Sequence, residues 1–199
     1  MSATPLDTRI VVLCGPSGAG KTTLARSLLD VFPSLRFSVS ATTRPPRPGE
    51  VNSRDYYFLQ AEEFRRKAEA GAFLEYEEVY PRLFYGTLKR EIERIWAQGE
   101  FPLLDVDVKG ALHIREQRFC AGLFVFVHPG SLEVLRQRLE QRHTEDRASL
   151  ERRLERARME LAYADRFVNV LYNDDWPRVR RQAIELVAGF TGLPVAVDS

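Results

Sequence analysis

Gly15-Pro-Ser-Gly-Ala-Gly-Lys-Thr22 follows directly on the apolar run Ile10-Val-Val-Leu-Cys14, and the reading of that junction decides the fold. An unbroken apolar run suits a parallel strand buried on both faces. The three glycines let the backbone take positive φ, so successive N–H groups turn inward at an anion, and the helix that begins next adds its positive dipole end. Strand, loop and helix in that order make a cradle for the phosphates of a nucleoside triphosphate. The residues that would line it are Gly15, Pro16, Ser17, Gly18, Ala19, Gly20, Lys21, Thr22 and Thr23. Lys21 has the reach for the β and γ phosphates, and the Thr22 hydroxyl suits Mg²⁺. The motif says nothing about the acceptor.

Outward from the loop, Thr23 to Val31 reads as a helix with Leu24, Leu28 and Val31 on one side and Pro33 closing it. Apolar runs recur at Leu103 to Leu104 with Val106 and at Leu123 to Val127. Helical periodicity predicts helices over 61–70, 88–98, 132–141, 150–164 and 176–190. This alternation points to an α/β three-layer sandwich. Between Phe37 and Tyr85 the pattern changes to short alternating pieces, 37–40, 56–59 and 72–76, around Pro45-Pro-Arg-Pro-Gly49. Such a stretch predicts a small β-rich insert. From Leu132 to Ala164 two charged helices carry thin apolar stripes, Leu132, Leu135 and Leu139 on one and Leu150, Leu154 and Leu161 on the other, the pattern of a lid.

The chain has 199 residues and a net charge of +1, with 29 basic against 28 acidic side chains. That balance argues against a general polyanion or nucleic-acid binder, so any anion site must be a local cluster. Cys14 and Cys120 are the only cysteines, and no disulfide framework or thiolate metal site is suggested. No apolar run approaches the ~20 residues of a membrane span, and Met1 to Thr8 lacks the pattern of a signal peptide. The expectation is a cytoplasmic protein of one domain with no membrane partner.

One local cluster stands out. Arg44 and Arg47 lie in Ser40-Ala-Thr-Thr-Arg-Pro-Pro-Arg-Pro-Gly-Glu50, where prolines stiffen the segment, and a guanidinium fork matches phosphate oxygens bidentately. Asp105 and Asp107 follow an apolar strand and would emerge at its C-terminal end, where open α/β sheets place their ligands. A cap for the helix opening near Val108 is the alternative role for one of them.

With these residues in view, the chain resembles the guanylate kinase family over nearly its whole length. The matching blocks are the glycine loop, Phe37 to Asn52, Asp55-Tyr56, Phe73-Leu-Glu-Tyr76, Tyr85-Gly-Thr87, Leu104-Asp-Val-Asp107, Arg138-Leu-Glu-Gln-Arg142, Glu160-Leu-Ala-Tyr163 and Asn173-Asp-Asp175. The resemblance implies a P-loop NTPase-type parallel sheet as core (1–36, 88–130 and 165–199), a GMP-binding insert (37–87) and a lid (131–164). It implies that Arg44, Arg47, Tyr56 and Tyr85 hold the GMP phosphate while Ser40, Glu75, Thr87 and Asp107 read the guanine. Asp105 would join Thr22 near the metal, and Lys21, Arg44, Arg138, Arg142 and Arg153 would be catalytic. The substrates would be ATP with Mg²⁺ and GMP or its deoxy analogue, and the assembly a monomer or homodimer.

The residue chemistry agrees. Guanine offers a ring N–H and an amine beside a carbonyl, which a carboxylate such as Glu75 and hydroxyls such as Ser40 and Thr87 complement, whereas adenine reverses the pattern. Two rivals stay open: a non-catalytic scaffold module of the same fold, and a kinase for another phosphorylated acceptor. Three features depart from the family pattern: an extra residue before Tyr85, Lys109 in place of a glutamine, and His143 in place of a glycine at the lid turn. Arg136, Arg147, Arg152 and Arg156 read as salt-bridge lacing on the lid surface.

Overall fold

The structure is a computed structural model describing residues 8–140 and 147–196. Its centre is a five-stranded, all-parallel sheet in the order β2-β7-β1-β8-β9, from β1 (Arg9–Cys14), β2 (Leu35–Phe37), β7 (Phe101–Asp105), β8 (Ala121–His128) and β9 (Asn169–Tyr172). Alternation along β1 explains why its run is unbroken. Val11 and Leu13 face one core with Leu24 and Leu28 of α1 (Lys21–Val31) and Val179 and Val187 of α7 (Trp176–Thr191). Ile10, Val12 and Cys14 face the other, with Ile92 of α3 (Lys89–Ala97) and Ala111 of α4 (Val108–Gln117). All five β1 residues from Ile10 to Cys14 are fully buried, and each aliphatic side chain so buried contributes about 1.5–3 kcal/mol. The three layers expected are present.

A second, four-stranded sheet has the order β4-β3-β6-β5, from β3 (Ala41–Thr42), β4 (Tyr57–Phe58), β5 (Phe73–Tyr80) and β6 (Leu83–Leu88). Helix α2 (Ala61–Glu69) closes it by stacking Phe64 on Phe73 and Phe84 at centroid distances of 4.3 and 5.2 Å. Phe37 lies in the main sheet rather than in this insert: β2 pairs with β7, and Ser38 N–H continues that pairing to the Leu103 carbonyl at 2.9 Å. The insert is fastened at its base by Glu91 of α3. Its buried carboxylate accepts from Tyr57 Oη at 2.8 Å and from two nitrogens of Arg94 at 2.8 and 2.9 Å.

Helices α5 (Leu132–Glu140) and α6 (Arg147–Leu161) pack on each other through Leu135, Leu139, Leu154 and Ala157. The α6 stripe ends at Ala157, and Leu161, expected to continue it, packs against the main sheet instead. A short 3₁₀ turn, Ala164–Arg166, leads into β9. Neither β6 nor β9 was separable in the sequence, and β7 begins two residues earlier than its apolar run suggests. Pro102 accounts for the latter, since proline argues against a strand interior.

Candidate nucleotide site

The loop after β1 takes the conformation its glycines foretell, with φ of 132° at Gly15, 89° at Gly18 and 99° at Gly20. Gly20 is also sterically required, because a Cβ there would stand 2.2 Å from Asn173 Nδ2. That amide donates to the Ala19 carbonyl at 2.8 Å, pinning the loop against the end of β9. Lys21 opens α1, its ammonium donating to the carbonyls of Gly15 and Pro16 at 2.8 and 3.2 Å and lying 3.8 Å from Asp105. Thr22 Oγ1 donates to Asp105 Oδ2 at 2.8 Å, bringing the two expected metal residues together. Thr23 is exposed on the same first turn.

A crevice of about 1150 Å³ opens beyond the C-terminal ends of β1 and β7. One end is the glycine loop, with Gly15, Ser17 and Lys21; the other carries Ser40, Arg44, Arg47, Tyr56, Glu75 and Tyr85. Asp105 and Asp107 stand between them, and α6 contributes Arg152, Arg153 and Arg156. The two arginines on the stiff insert loop therefore share one cavity with the glycine loop, as the sequence reading requires. The β5–β6 register shifts between Glu78 and Tyr80, and the Tyr85 ring meets Tyr56 edge-on at 6.0 Å.

Arg44 is held by Glu50, which accepts from Nη1 at 2.9 Å and Nη2 at 2.8 Å, and the same carboxylate accepts from Arg47 N–H at 2.6 Å. The Arg44 side-chain hydrogen bonds bring the Glu50 carboxyl down to about 2 and raise Arg44 further above its ordinary value. Glu50 had no role in the sequence reading, although it ends the quoted Arg44 segment. Arg44 also lies over the Tyr56 ring at 5.4 Å.

Glu75 is buried and accepts from Thr87 Oγ1 at 2.6 Å. Burial pushes its carboxyl up to about 7, against the Thr87 hydrogen bond and with help from the nearby Asp107 charge. Asp107 caps α4, with Oδ1 accepting from Gly110 N–H at 2.7 Å. Gly110 is what lets Glu75 and Asp107 approach: a Cβ there would lie 2.9 Å from Glu75 Oε2 and 3.1 Å from Asp107 Oδ1. The helix-cap role and the position in the crevice thus belong to the same aspartate.

On the lid, Arg153 donates to Ser17 Oγ at 2.7 Å and faces the glycine loop. Arg138 does not line the crevice; it donates to the carbonyls of Asn173 and Ala19 at 2.7 and 3.4 Å, behind the loop. Arg142 and His143 lie outside the described residues. Arg136 pairs with Glu151 at 3.1 Å, the lacing expected of it. Arg156 behaves differently and points into the cavity, with its Nη2 2.9 Å from Asp107 Oδ2. Sequence spacing missed it because its partner lies on another element, as it missed Asn173.

Cys14 is sealed in β1, and burial raises its thiol to about 12, so it takes no part in the site's chemistry. Among the described residues no group of three or more His, Cys, Asp or Glu side chains is arranged to hold a metal. No helix among them is long and apolar enough to cross a membrane.

A glycine-loop anion cradle facing an arginine–tyrosine cradle across one parallel-sheet crevice defines the class: a phosphotransferase that brings a nucleoside triphosphate to a second phosphorylated substrate. The particular family follows from similarity. The guanylate kinase family model matches residues 7–186. The guanylate kinase of Salinibacter ruber is 53% identical over 169 residues, 85% of this chain and 89% of that protein. That of Rubrobacter xylanophilus is 46% identical over 179 residues, 90% of this chain and 93% of that one. A crystal structure of guanylate kinase from Anaplasma phagocytophilum superimposes with a TM-score of 0.71 at 30% identity, covering 91% of this chain and 85% of its own. The chain belongs to the guanylate kinase family, and its reaction is the ATP-dependent phosphorylation of GMP to GDP.

Proposed function

We propose the following division of labour for that reaction, with the shared crevice as the observation that carries it. Residues Gly15 to Thr23 cradle the ATP phosphates, and the Lys21 ammonium leaves its loop carbonyls for the β and γ oxygens. Arg44, Arg47, Tyr56 and Tyr85 hold the GMP phosphate. Glu50 keeps Arg44 aimed, and the edge-to-face tyrosine pair dries one side of the site. Because the acceptor is an ionised phosphate, no general base is needed, and positioning with charge neutralisation supplies the rate. Arg153 covers the transferring group from the lid, joined there by Arg142 and by Arg138 once the latter leaves its loop carbonyls.

The Thr22 hydroxyl and the Asp105 carboxylate suit a hard cation that arrives with ATP and keeps several waters. Mg²⁺ bound there would neutralise charge on the phosphate oxygens. Glu75 and Asp107 accept from the guanine ring N–H and amine, while Ser40 and Thr87 serve the carbonyl and fix Glu75. Adenine would leave the buried Glu75 carboxylate facing a lone pair, a mismatch costing a few kcal/mol. The deoxy analogue of GMP presents the same base and phosphate and is accepted too. The β-rich insert and the helical lid move against the core as the site fills, and the enzyme works in the cytoplasm, as a monomer or homodimer, without nucleic acid or membrane.

The test is a coupled assay with GMP, AMP, CMP and UMP as acceptors, repeated with Glu75→Gln. A strong GMP preference that collapses in the variant is the expected result. AMP as the best acceptor of the native protein would overturn the assignment of the base pocket.

A further inference from the structure

Helix α6 touches both halves of the crevice with side chains three residues apart. Arg153 reaches Ser17 of the glycine loop at 2.7 Å, and Arg156 reaches Asp107 Oδ2 at 2.9 Å. The planar fork of Arg156 is itself aimed: its Nε donates to Glu160 Oε1, one turn along the same helix, at 2.8 Å. Lysine, with a single point charge, cannot bridge two carboxylates in this fixed plane as well. Asp107 is consequently held at both oxygens, Oδ1 by the Gly110 N–H of α4 and Oδ2 by the lid.

A third carboxylate makes this cation consequential. Glu77 on β5 sits 3.6 Å from Arg156 and 3.7 Å from Lys109, and its Oε2 is enclosed without a hydrogen-bond partner among the described residues. Burial and the neighbouring Asp107 raise the Glu77 carboxyl above its ordinary value. Without Arg156, the neighbouring Glu77 and Asp107 carboxylates would lose the cation they share, and Asp107 would lose one of its two anchors. An ion pair of this kind, between two-thirds and three-quarters withdrawn from water, orients groups more than it stabilises the fold.

We infer that Arg156 is a positioning residue for base recognition, holding Asp107 in its guanine-reading orientation and tying lid closure to the presence of the correct base. Arg153 and Arg156 then make α6 a bridge between the two substrates, so a lid that closes over the phosphates must also engage the base pocket. This rests on the reading of Asp107 as a guanine contact made under Proposed function.

The experiment compares GMP with inosine monophosphate, which keeps the carbonyl and ring N–H of guanine and lacks the exocyclic amine. Arg156→Ala is expected to lower kcat/KM for GMP about tenfold, most of it in KM, and to shrink the GMP-to-inosine ratio by a similar factor. Arg156→Lys should recover part of that ratio. An unchanged ratio in Arg156→Ala, with or without a lower Tm, overturns the inference, because a merely structural arginine would weaken both acceptors alike. Asp107→Asn, which preserves the helix cap, separates the two readings. If it lowers the ratio while Arg156→Ala does not, the inference alone falls. If it too leaves the ratio unchanged, the base-pocket reading falls and the inference with it.

Discussion

The two cradles of the crevice are built from opposite materials. The first is backbone: consecutive residues of one loop, three positive-φ glycines and a helix end, with Lys21 as its one long cation. The second is side chains gathered from β5, β6, the Arg44–Glu50 loop and the cap of α4. A backbone cradle recognises what all nucleoside triphosphates share, because N–H groups see only phosphate oxygens. A side-chain cradle is selective, and it needs further residues such as Glu50, through its carboxylate, and Gly110, through its backbone, to hold its members in place. Activity should be most sensitive in the first and substrate choice in the second.

Breaking the first cradle gives the largest effect. Lys21→Ala is expected to lower kcat by about 10³-fold or more, measured at saturating ATP and GMP, with little change in which acceptor is preferred. Loss of acceptor preference there would contradict the division. Arg44→Ala should lower kcat/KM for GMP about 10²-fold while KM for ATP, read from the same progress curves, stays near the native value.

A smaller, pH-dependent effect sharpens the contrast. Glu75 rises from an ordinary 4.5 to about 7 chiefly through burial, and only its ionised form accepts both guanine donors. The GMP-to-AMP ratio of kcat/KM should therefore fall about tenfold between pH 8 and pH 6, the ratio cancelling titration of the acceptor phosphate itself. Stability of the unliganded protein runs the other way. A carboxyl whose folded value is raised contributes stability below its unfolded value, and that contribution is lost as pH climbs from about 4.5 through about 7. Glu75→Gln should remove both slopes in parallel rate and melting measurements.

The smallest effect belongs to the other buried glutamate. Glu91 is as enclosed as Glu75, yet burial, which raises it, is outweighed by Arg94 and Tyr57, and its carboxyl ends below its ordinary value. With its lone pairs taken, it fastens the insert rather than a ligand. Glu91→Gln should cost about 2 kcal/mol, a few degrees in Tm, with acceptor preference intact.

The same contrast governs what could be read from the sequence. The glycine loop is contiguous, so its strand, turn and helix announce themselves between Ile10 and Val31, and the burial of β1 on both faces follows from its unbroken apolar run. Arg44 and Arg47 were visible through the prolines around them. Glu75 gave no local sign beside Glu77 and Glu78, because what distinguishes it is burial beneath Thr87 and Gly110, a tertiary fact. Arg156 looked like any solvated lid arginine, since Asp107 lies 49 residues away. β9 was lost for a related reason: as an edge strand it pairs only with β8, buries Leu171 alone and leaves Tyr172 exposed, so its hydrophobic pattern is weak.

The Asn173 amide that fixes Ala19 comes from a position 154 residues downstream. The glycine turn is spelled out by local sequence, yet its lock at Ala19 is supplied from the far end of the central sheet. The anchor is a contact of high sequence separation that closes only once β9 has paired with β8, and contacts of that kind carry the larger loop-closure cost in folding.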